Sequence, residues 1–469
     1  MQGIRKSSGS YIVMLWAIVG VSVSVVLESV KGLHEFMKFI LTAAVVLDQL
    51  ALLLIAVYQL GIVVFGSVNP LSKWFKPSLQ GCPQYNSQSL QQLPKFLCLT
   101  AAHNEEAVIS EHVRNVLGMD YPKDRMHVVV IADNCTDSTA QLARALGASV
   151  WERFDEKERS KGAALRWAIH QRANLEEYDA VCIFDADNLV EPNFLSVMAT
   201  HLAQGHEAIQ AYLDTKNPWD SWISAAYASA YWYMNRFWQR VRVQLDLSGA
   251  LGGTGFCLSS KLLQDNPWGA RSLTEDLEYT MHLILRGKKV FWTHLTRVFD
   301  EKPVHFGASV PQRTRWLQGH WNLAFRYTIP LFRAFLSDRE GARWRALDGL
   351  VYLWQPAVIL FTGLNLIFTG AQIACGDGWY YPLLSHYVPN WFWGAIVALG
   401  LCLPLIALGL EDAEWKAFWM FPSFLLFNLT WIPITLQGLL SHKDRTWTHT
   451  QHSRSISFHD LSKSEVVRK

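Results

Sequence analysis

The stretch that organises this chain is Ala180-Val181-Cys182-Ile183-Phe184-Asp185-Ala186-Asp187. Five mostly apolar residues that suit a buried strand run into two carboxylates separated by a single residue. In an open α/β sheet, ligands bind beyond the carboxyl ends of the strands, so this strand is expected to present Asp185 and Asp187 to a binding crevice. Carboxylate oxygens suit Mg²⁺ or Mn²⁺, which use few protein ligands and complete their coordination with substrate phosphates and water. Because paired aspartates also end strands and begin turns, the motif alone leaves a purely structural role equally open.

Strands and helices alternate around this stretch. Phe96–Thr100 and Val128–Ala132 have the composition of buried strands, and helices are predicted over Glu105–Leu117, Thr136–Leu146 and Ala163–Arg172. This alternation predicts an α/β fold with a mostly parallel sheet and helices on both faces. We expect it to form a soluble domain over residues 92–310.

Polar residues also follow the other predicted strands. The first strand leads into Ala102, Asn104 and Glu105, and the second ends at Asp133. At the edge that carries the Asp-x-Asp motif, these groups could bind a nucleotide base and ribose, although Asn and Asp taken singly are more often helix caps. Lys161 follows Ser160 where a helix begins and could meet a diphosphate. The sequence contains neither a Walker A loop nor a Gly-x-Gly-x-x-Gly fingerprint.

The composition separates a soluble middle from apolar ends. Half of the 469 residues are hydrophobic and only 17% are charged, and the depletion of charge is concentrated at the two ends. A net charge of +2 without a basic arm argues against a nucleic-acid partner. The seven Cys residues are scattered singly, which indicates neither a zinc site nor a disulfide framework and fits a reduced compartment.

The N-terminal residues 1–75 are predicted to form a transmembrane hairpin. Tyr11–Leu27 is uncharged and marginal in length, and Phe39–Phe65 contains Asp48 as its only charge. A cleaved signal peptide is the alternative for the first run. Asp48 is a functional candidate, or it lines a helix pair. Basic residues outside both ends, among them Lys73 and Lys76, place the flanks and the soluble domain in the cytoplasm.

The chain returns to the membrane over residues 347–440. Gly349–Gly376 and Trp391–Leu410 are long uncharged runs, and Ala417–Leu440 is uncharged but interrupted by Pro422 and Pro433. Because a fifth span would put the basic tail 441–469 outside, we favour a broken or re-entrant segment and a cytoplasmic tail. The expected location is the plasma (inner) membrane, as an integral membrane protein.

Two further motifs carry candidate chemistry. Thr274-Glu275-Asp276 reads either as an acidic first helical turn or as the site of a general base, Asp276, that accepts the proton of a hydroxyl. Gln312-x-x-Arg315-Trp316 opens the amphipathic stretch 311–345, which is typical of helices at a membrane interface. Arg315 could also bind a phosphate, and Trp316 could offer a flat face to a sugar ring.

Together, Asp133, Asp185-x-Asp187, Thr274-Glu275-Asp276 and Gln312-x-x-Arg315-Trp316 resemble the motifs of membrane-bound family 2 glycosyltransferases, the group of the cellulose, chitin, hyaluronan and poly-N-acetylglucosamine synthases. The resemblance covers roughly residues 96–321. It implies an A-type glycosyltransferase fold and metal-dependent, inverting transfer from a nucleotide sugar, usually a UDP-sugar. The Gln-x-x-Arg-Trp motif implies processive synthesis of a β-linked polysaccharide, coupled to translocation across the membrane.

The resemblance also implies roles for individual residues. Nucleotide-sugar binding falls to Ala102, Asn104, Glu105, Asp133, Lys161 and Asp185; Mg²⁺ or Mn²⁺ binding to Asp185 and Asp187; catalysis to Asp276; and the acceptor and diphosphate site to Glu275, Gln312, Arg315 and Trp316. The chain departs from many relatives in having Ala-Asp-Asn instead of Asp-Asp after the second strand, and in its tail motif Arg445–Thr450.

The expected partners are a nucleotide-sugar donor, a glycan acceptor and membrane lipids. Two alternatives remain open: non-processive transfer to a lipid acceptor, and a non-catalytic channel that senses nucleotide sugars. The sugar, its linkage and any accessory subunit are not predicted.

Overall fold

The structure, a computed structural model, describes residues 8–68, 93–337, 342–375, 390–444, 446 and 454–463. The chain divides into two compact units, one of residues 1–56 and 361–398 and the other of residues 57–360 and 399–469. The predicted cytoplasmic markers Lys73 and Lys76, and the stretch Arg445–Thr450 apart from Thr446, lie outside the described residues.

The second unit contains an eight-stranded mixed sheet. Its strands are β1 (Phe96–Ala102), β2 (Met126–Asp133), β3 (Ser149–Arg153), β4 (Ala180–Asp185), β5 (Leu189–Val190), β6 (Ala208–Thr215), β7 (Phe256–Ser259) and β8 (Phe291–Asp300). They lie in the order β3-β2-β1-β4-β7-β6-β8-β5. The first four are parallel, β7 is antiparallel to both β4 and β6, β6 and β8 are parallel, and β5 is antiparallel to β8. The predicted α/β fold is therefore confirmed, with antiparallel strands in its second half.

The helices have the following bounds: α1 (Ser8–Val68), α2 (Ile109–Leu117), α3 (Thr139–Ala145), α4 (Lys161–Trp167), α5 (Phe194–Ala203), α6 (Trp222–Met234), α7 (Val241–Gln244), α8 (Ser260–Asp265), α9 (Glu275–Leu285), α10 (Phe306–Ser337), α11 (Arg343–Leu353), α12 (Gln355–Cys375), α13 (Asn390–Leu410), α14 (Trp415–Trp419), α15 (Phe421–Leu440) and α16 (Phe458–Lys463). Short 3₁₀ turns lie at Lys123–Arg125 and Leu175–Glu177, and π-helical turns follow α4 at Ala168–Arg172 and α6 at Asn235–Arg240.

The two faces of the sheet are covered because successive side chains of a strand point in opposite directions. Phe96 and Cys98 of β1 belong to one buried cluster, to which α2, α3 and α5 contribute. Leu97 and Leu99 belong to a second cluster, to which α4, α8 and α9 contribute. All four side chains are fully buried, so β1 has the continuous apolar sequence expected of a strand covered on both sides.

In the first unit, Asp48 of α1 is buried and accepts a hydrogen bond from the Asn365 side chain of α12 at 3.4 Å. This contact supports the second interpretation of Asp48, that it lines a helix pair.

The N-terminal segment is one continuous helix, α1, where two helices joined by a turn were predicted. The polar stretch Glu28–Lys38 between the two apolar runs contains no proline and only one glycine, Gly32. Its charged and apolar residues are ordinary helix formers, so nothing in it forces a turn.

Among the described residues, two helical segments are long and apolar enough to cross a membrane, Glu35–Phe65 and Phe421–Leu440. A third is added if Arg343–Leu353 and Gln355–Ala371, bent by 46°, form one span. Residues 417–440 are interrupted at Met420, between α14 and α15, whereas α15 continues through Pro433. The predicted break is therefore found near Pro422 and not at Pro433. The topology and the cellular location stay predictions.

Helix α10 covers most of the stretch predicted to lie at a membrane interface. It exposes four apolar side chains three or four residues apart: Phe325, Ile329, Phe332 and Leu336. This spacing gives one apolar stripe along the helix and supports that prediction.

Candidate active site

The predicted strand ends meet at one edge of the sheet. Ala101 is paired with Asp185 across β1 and β4, and Ala102 is paired with Ala132 across β1 and β2. The residues that follow these strands, including Asp133, therefore lie beside the Asp-x-Asp motif. Sequence reasoning placed these groups in one crevice, and the register agrees with it.

The turn after β4 is held by the side chain of Asn188. The backbone N–H of Asp185 donates to Asn188 Oδ1 at 3.1 Å and to Thr254 Oγ1 at 3.0 Å. Asn188 is fully buried, whereas the side chain of Asp185 is 37% exposed. The turn thus leaves Asp185 accessible to a ligand.

Both carboxylate oxygens of Asp187 accept hydrogen bonds. The backbone N–H of Glu301 donates to Oδ2 at 2.7 Å, and the Asn188 side chain donates to Oδ1 at 3.2 Å. Asp187 is only 5% exposed. Its carboxylate is consequently fixed in one orientation before any ligand binds. Neither Asn188 nor Glu301 was a candidate from the sequence; the Asn directly after Asp-x-Asp was the available signal for a side chain that closes the turn.

Lys161 begins α4, as predicted, and Ser160 caps the helix by accepting the Ala163 N–H at 3.1 Å. The Lys161 ammonium contacts Asp185 Oδ1 and donates to the Gly253 carbonyl at 2.6 Å. Burial alone would lower the pKa of Lys161, but Asp185 and Glu275 outweigh it and raise that pKa. A lysine with a raised pKa is positively charged and suits a diphosphate.

Glu275 and Asp276 begin α9 beside this lysine. Burial, helped by the charge of Asp276, raises the pKa of Glu275 to about 7. Burial also raises the pKa of Asp276, against the opposing effects of the Leu277 N–H, which donates to Asp276 Oδ1 at 2.8 Å, and of Lys161. A carboxylate with a raised pKa is a stronger base, as removal of a proton from a hydroxyl requires.

We expect Glu275→Gln to leave the acid limb of the pH–activity profile in place. If Asp276 is the base, activity falls as the pH drops through the pKa of Asp276. Glu275, with a pKa of about 7, is already neutral at the acid end of the profile, so its replacement by Gln removes no charge there. The measurement is kcat/KM against pH, with the exposed Glu176→Gln as control. A limb that moves to lower pH in Glu275→Gln would show that Glu275 is still charged where Asp276 titrates, and would contradict this assignment.

The Gln-x-x-Arg-Trp motif lies in α10 and contacts α6. Tyr227 Oη donates to Gln312 Oε1 at 3.3 Å, and the rings of Tyr227 and Trp316 meet edge to face at 6.2 Å. Burial lowers the pKa of Arg315, and the negative charges of Glu275 and Asp185 oppose that shift. Arg315 therefore lies within electrostatic reach of both carboxylates, and an arginine remains charged there.

Helix α10, which bears the Gln-x-x-Arg-Trp motif, packs at Gly319 against the start of α9, which bears Glu275 and Asp276. A Cβ atom on Gly319 would lie 2.6 Å from Thr274 Oγ1, 2.7 Å from its Cγ2 and 3.0 Å from its backbone N. Thr274 directly precedes α9 and has no side-chain capping hydrogen bond. The missing side chain of Gly319 thus allows α10 to pack on the residue that positions Glu275 and Asp276.

We expect Gly319→Ala to destabilise the fold by about 1–3 kcal/mol and to lower turnover, because the new methyl group overlaps both side chain and backbone of Thr274. Thermal unfolding and turnover measure the two effects. Gly307→Ala is the control, since no atom lies within 4 Å of its Cβ position; it should be neutral or stabilising by about 0.5–1 kcal/mol. Equal behaviour of the two variants would show that the contact is unimportant.

The groups predicted to hold the nucleotide base are already engaged with protein. Asp133 Oδ1 accepts from Arg153 at 2.6 Å, and both residues are buried. Burial raises the pKa of Asp133, and Arg153 opposes the shift. Asn104, at φ 54°, accepts the Thr136 N–H at 2.8 Å, and the backbone N–H of Glu105 donates to Thr139 Oγ1 at 2.8 Å. Side chains and backbone here tie neighbouring loops together, and any role in nucleotide binding stays a prediction.

The Asp-x-Asp oxygens fit Mg²⁺ or Mn²⁺. Asp185 and Asp187 provide hard carboxylate donors, one of them accessible and the other fixed by N–H donors. In the parts of the chain that the structure describes, no group of three or more His, Cys, Asp and Glu side chains forms a complete metal cage. These ions do not require one, since one or two carboxylates and substrate phosphates commonly bind them.

Comparison with known proteins bears on this site. Residues 94–319 match the model of the family described as "Glycosyltransferase like family 2". The chain is 21% identical over 369 residues to "Probable glycosyltransferase YdaM" of Bacillus subtilis, covering 75% of this chain and 84% of that protein. It is 27% identical over 313 residues to a "Beta-monoglucosyldiacylglycerol synthase" of Synechocystis, covering 62% of this chain and 63% of that protein.

It is also 24% identical over 308 residues to a "Poly-beta-1,6-N-acetyl-D-glucosamine synthase" of Staphylococcus aureus, covering 61% of this chain and 68% of that protein. Among solved structures, mannosyltransferase PcManGT from Pyrobaculum calidifontis has a similar fold, with a TM-score of 0.54, 17% identity, and coverage of 86% of this chain and 99% of that one. Its fold is the A-type glycosyltransferase (GT-A) fold. Residues 94–319 of this chain therefore form a family 2 glycosyltransferase domain with a GT-A fold.

Proposed function

We propose that the enzyme transfers a hexose from a UDP-sugar to the end of a growing β-linked polysaccharide, which then crosses the membrane through the apolar helices. The observation that carries the proposal is the packing of α10 on Thr274. It joins the helix that bears Arg315 and Trp316 to the helix that bears Asp276, beside the Asp-x-Asp turn. A base, a cationic diphosphate site and an aromatic platform thereby share one crevice.

Asp276 is the proposed general base. The acceptor hydroxyl transfers its proton to the Asp276 carboxylate as its oxygen bonds to the anomeric carbon, while the bond from that carbon to the diphosphate breaks. This single displacement inverts the anomeric centre and converts an α-linked donor into a β-linked product. It requires no enzyme nucleophile.

Cationic groups stabilise the leaving diphosphate. Lys161 and Arg315 carry positive charge beside Asp185, and Asp185 and Asp187 would hold Mg²⁺ or Mn²⁺. When bound, the ion neutralises charge on the departing phosphates. The structure of PcManGT was determined with GDP-Man and Mn²⁺, which supports a metal role for the equivalent edge of this fold. Ala102, Asn104, Glu105 and Asp133 are the proposed lining of the nucleotide pocket.

A lipid acceptor is the second candidate. The cyanobacterial relative is named as a synthase of a glucosyl lipid, and the staphylococcal relative as a synthase of a polysaccharide. The Gln-x-x-Arg-Trp motif and the apolar helices support the polymer. The third alternative, a non-catalytic sensor, gives no reason for a half-buried base beside Lys161.

The deciding experiment is nucleotide release by the purified protein in detergent with Mn²⁺, offering single UDP-sugars and GDP-mannose and sizing the product. Release with one donor and a long glycan supports the polymer and names its sugar. A short, lipid-extractable product supports the lipid acceptor instead. No release with any donor, in detergent or in vesicles, would overturn the proposal.

A further inference from the structure

The C-terminal segment Arg454–Lys463 lies against the strands that follow and face the Asp-x-Asp turn. Leu461 of α16 is 1% exposed and packs with Leu189 of β5 and Phe299 of β8. The Phe458 ring lies 6.3 Å from that of Phe299. Because Leu189 follows Asp187 by two residues and is paired with Phe299, the segment covers the backbone that carries Asp187.

A buried lysine connects this segment to Asp187. Lys216 is 3% exposed, and its ammonium donates to the Asp187 carbonyl at 2.9 Å and to the Arg454 carbonyl at 3.0 Å. It also forms an ion pair with Glu301 Oε2 at 3.2 Å.

Glu301 also contacts both the C-terminal segment and Asp187. Its carboxylate accepts the Arg454 N–H at 3.1 Å, while its own backbone N–H donates to Asp187 Oδ2 at 2.7 Å. The Arg454 guanidinium also contacts Asp220. The C-terminal segment, Lys216 and Glu301 thus form one set of contacts. This set holds both the carbonyl and the carboxylate of Asp187.

We infer that Lys216 and Glu301 are positioning residues for Asp187 and that docking of Arg454–Lys463 completes their arrangement. The inference rests on the proposed function, in which Asp187 holds the divalent cation. Undocking the segment removes one acceptor from the Lys216 ammonium and one donor from the Glu301 carboxylate. Both groups can then turn toward water, and the orientation of Asp187 is lost. Loss of such supporting partners weakens metal binding roughly 10- to 100-fold.

The test measures Mn²⁺ binding to the full-length protein by electron paramagnetic resonance, with UDP or GDP present. Leu461→Ala is designed to undock α16 without altering any of the polar residues, and Lys216→Met removes the connecting ammonium itself. Both should bind Mn²⁺ roughly 10- to 100-fold more weakly yet bind the nucleotide normally without metal. Ser455→Ala, an exposed change on the same segment, should bind Mn²⁺ as the unaltered protein does.

Asp187→Asn separates the inference from the function on which it rests. If this variant binds Mn²⁺ normally, the proposed metal role of Asp187 fails. If it loses Mn²⁺ while Leu461→Ala keeps full affinity, the positioning role of the segment is overturned. Thermal unfolding checks that each variant is folded, and Leu461→Ala decides should Lys216→Met not fold.

Discussion

Replacing Asp276 by Asn is expected to lower turnover roughly 10²–10⁴-fold, the usual contribution of a positioned general base. The amide has nearly the shape of the carboxylate but cannot accept the proton of an acceptor hydroxyl. The charges of Lys161 and Asp185 that face the diphosphate are unchanged, so the affinity for the nucleotide should be retained. Steady-state nucleotide release and calorimetric nucleotide binding measure the two quantities on the same preparation.

Asp265→Asn is the matched control, because Asp265 is an exposed acid at the end of α8. It should leave both quantities unchanged. Glu275 is the group to examine for any residual activity of Asp276→Asn. Its pKa is raised to about 7, and its carboxyl group lies beside the lost base. If Glu275 partly replaces Asp276 as the base, the double variant that also carries Glu275→Gln should lose the remaining activity. Full turnover in Asp276→Asn would refute the assignment of the base.

Much of this site follows from local sequence because its parts sit at ends of strands and helices. A run of apolar residues ending in Asp-x-Asp predicts both β4 and the edge at which it ends. The acidic turn at Glu275 and Asp276 and the helix that bears Arg315 are likewise visible as short patterns. Parallel pairing then brings the strand ends together without any knowledge of tertiary contacts.

Contacts between distant segments are not visible in the same way. Arg153, which neutralises Asp133, ends a strand whose short mixed sequence, Ser149–Arg153, gives no clear strand pattern. The approach of Gly319 to Thr274 requires the relative placement of two helices, and a glycine inside a helix has no local signature for that. The bond from the Glu301 N–H to Asp187 comes from backbone, which any residue type could supply.

For the N-terminal helix, the sequence pattern predicted a turn that the structure does not contain. Two apolar runs separated by charges suggested a turn, because membrane spans are bounded by polar residues. Charged residues do not end a helix by themselves, however, and Glu28–Lys38 lacks the proline or glycine cluster that would. Hydropathy thus locates apolar segments but does not decide whether the backbone between them bends.

The second large effect is expected for Asp187→Asn, which should lower metal-dependent turnover roughly 10²–10³-fold, corresponding to ~3–4 kcal/mol of transition-state charge stabilisation. The Asn side-chain oxygen can still accept the Glu301 N–H, whereas the hydrogen bond from the Asn188 amide is lost. Turnover against Mn²⁺ concentration is the measurement. The curve for the variant should move to higher Mn²⁺, and Asp124→Asn, whose side chain is 80% exposed, should follow the unaltered enzyme.

Asp185→Asn distinguishes the two aspartates of the motif. Asp185 contacts Lys161, whereas Asp187 is bound by N–H donors of Asn188 and Glu301. Loss of the Asp185 charge leaves the half-buried Lys161 ammonium with one fewer carboxylate, so nucleotide affinity should change together with the Mn²⁺ requirement. Loss of the Asp187 charge should change the Mn²⁺ requirement alone. Identical profiles for the two variants would mean that the carboxylates act as one unit, and an unchanged Mn²⁺ requirement in Asp187→Asn would remove this residue from the metal site.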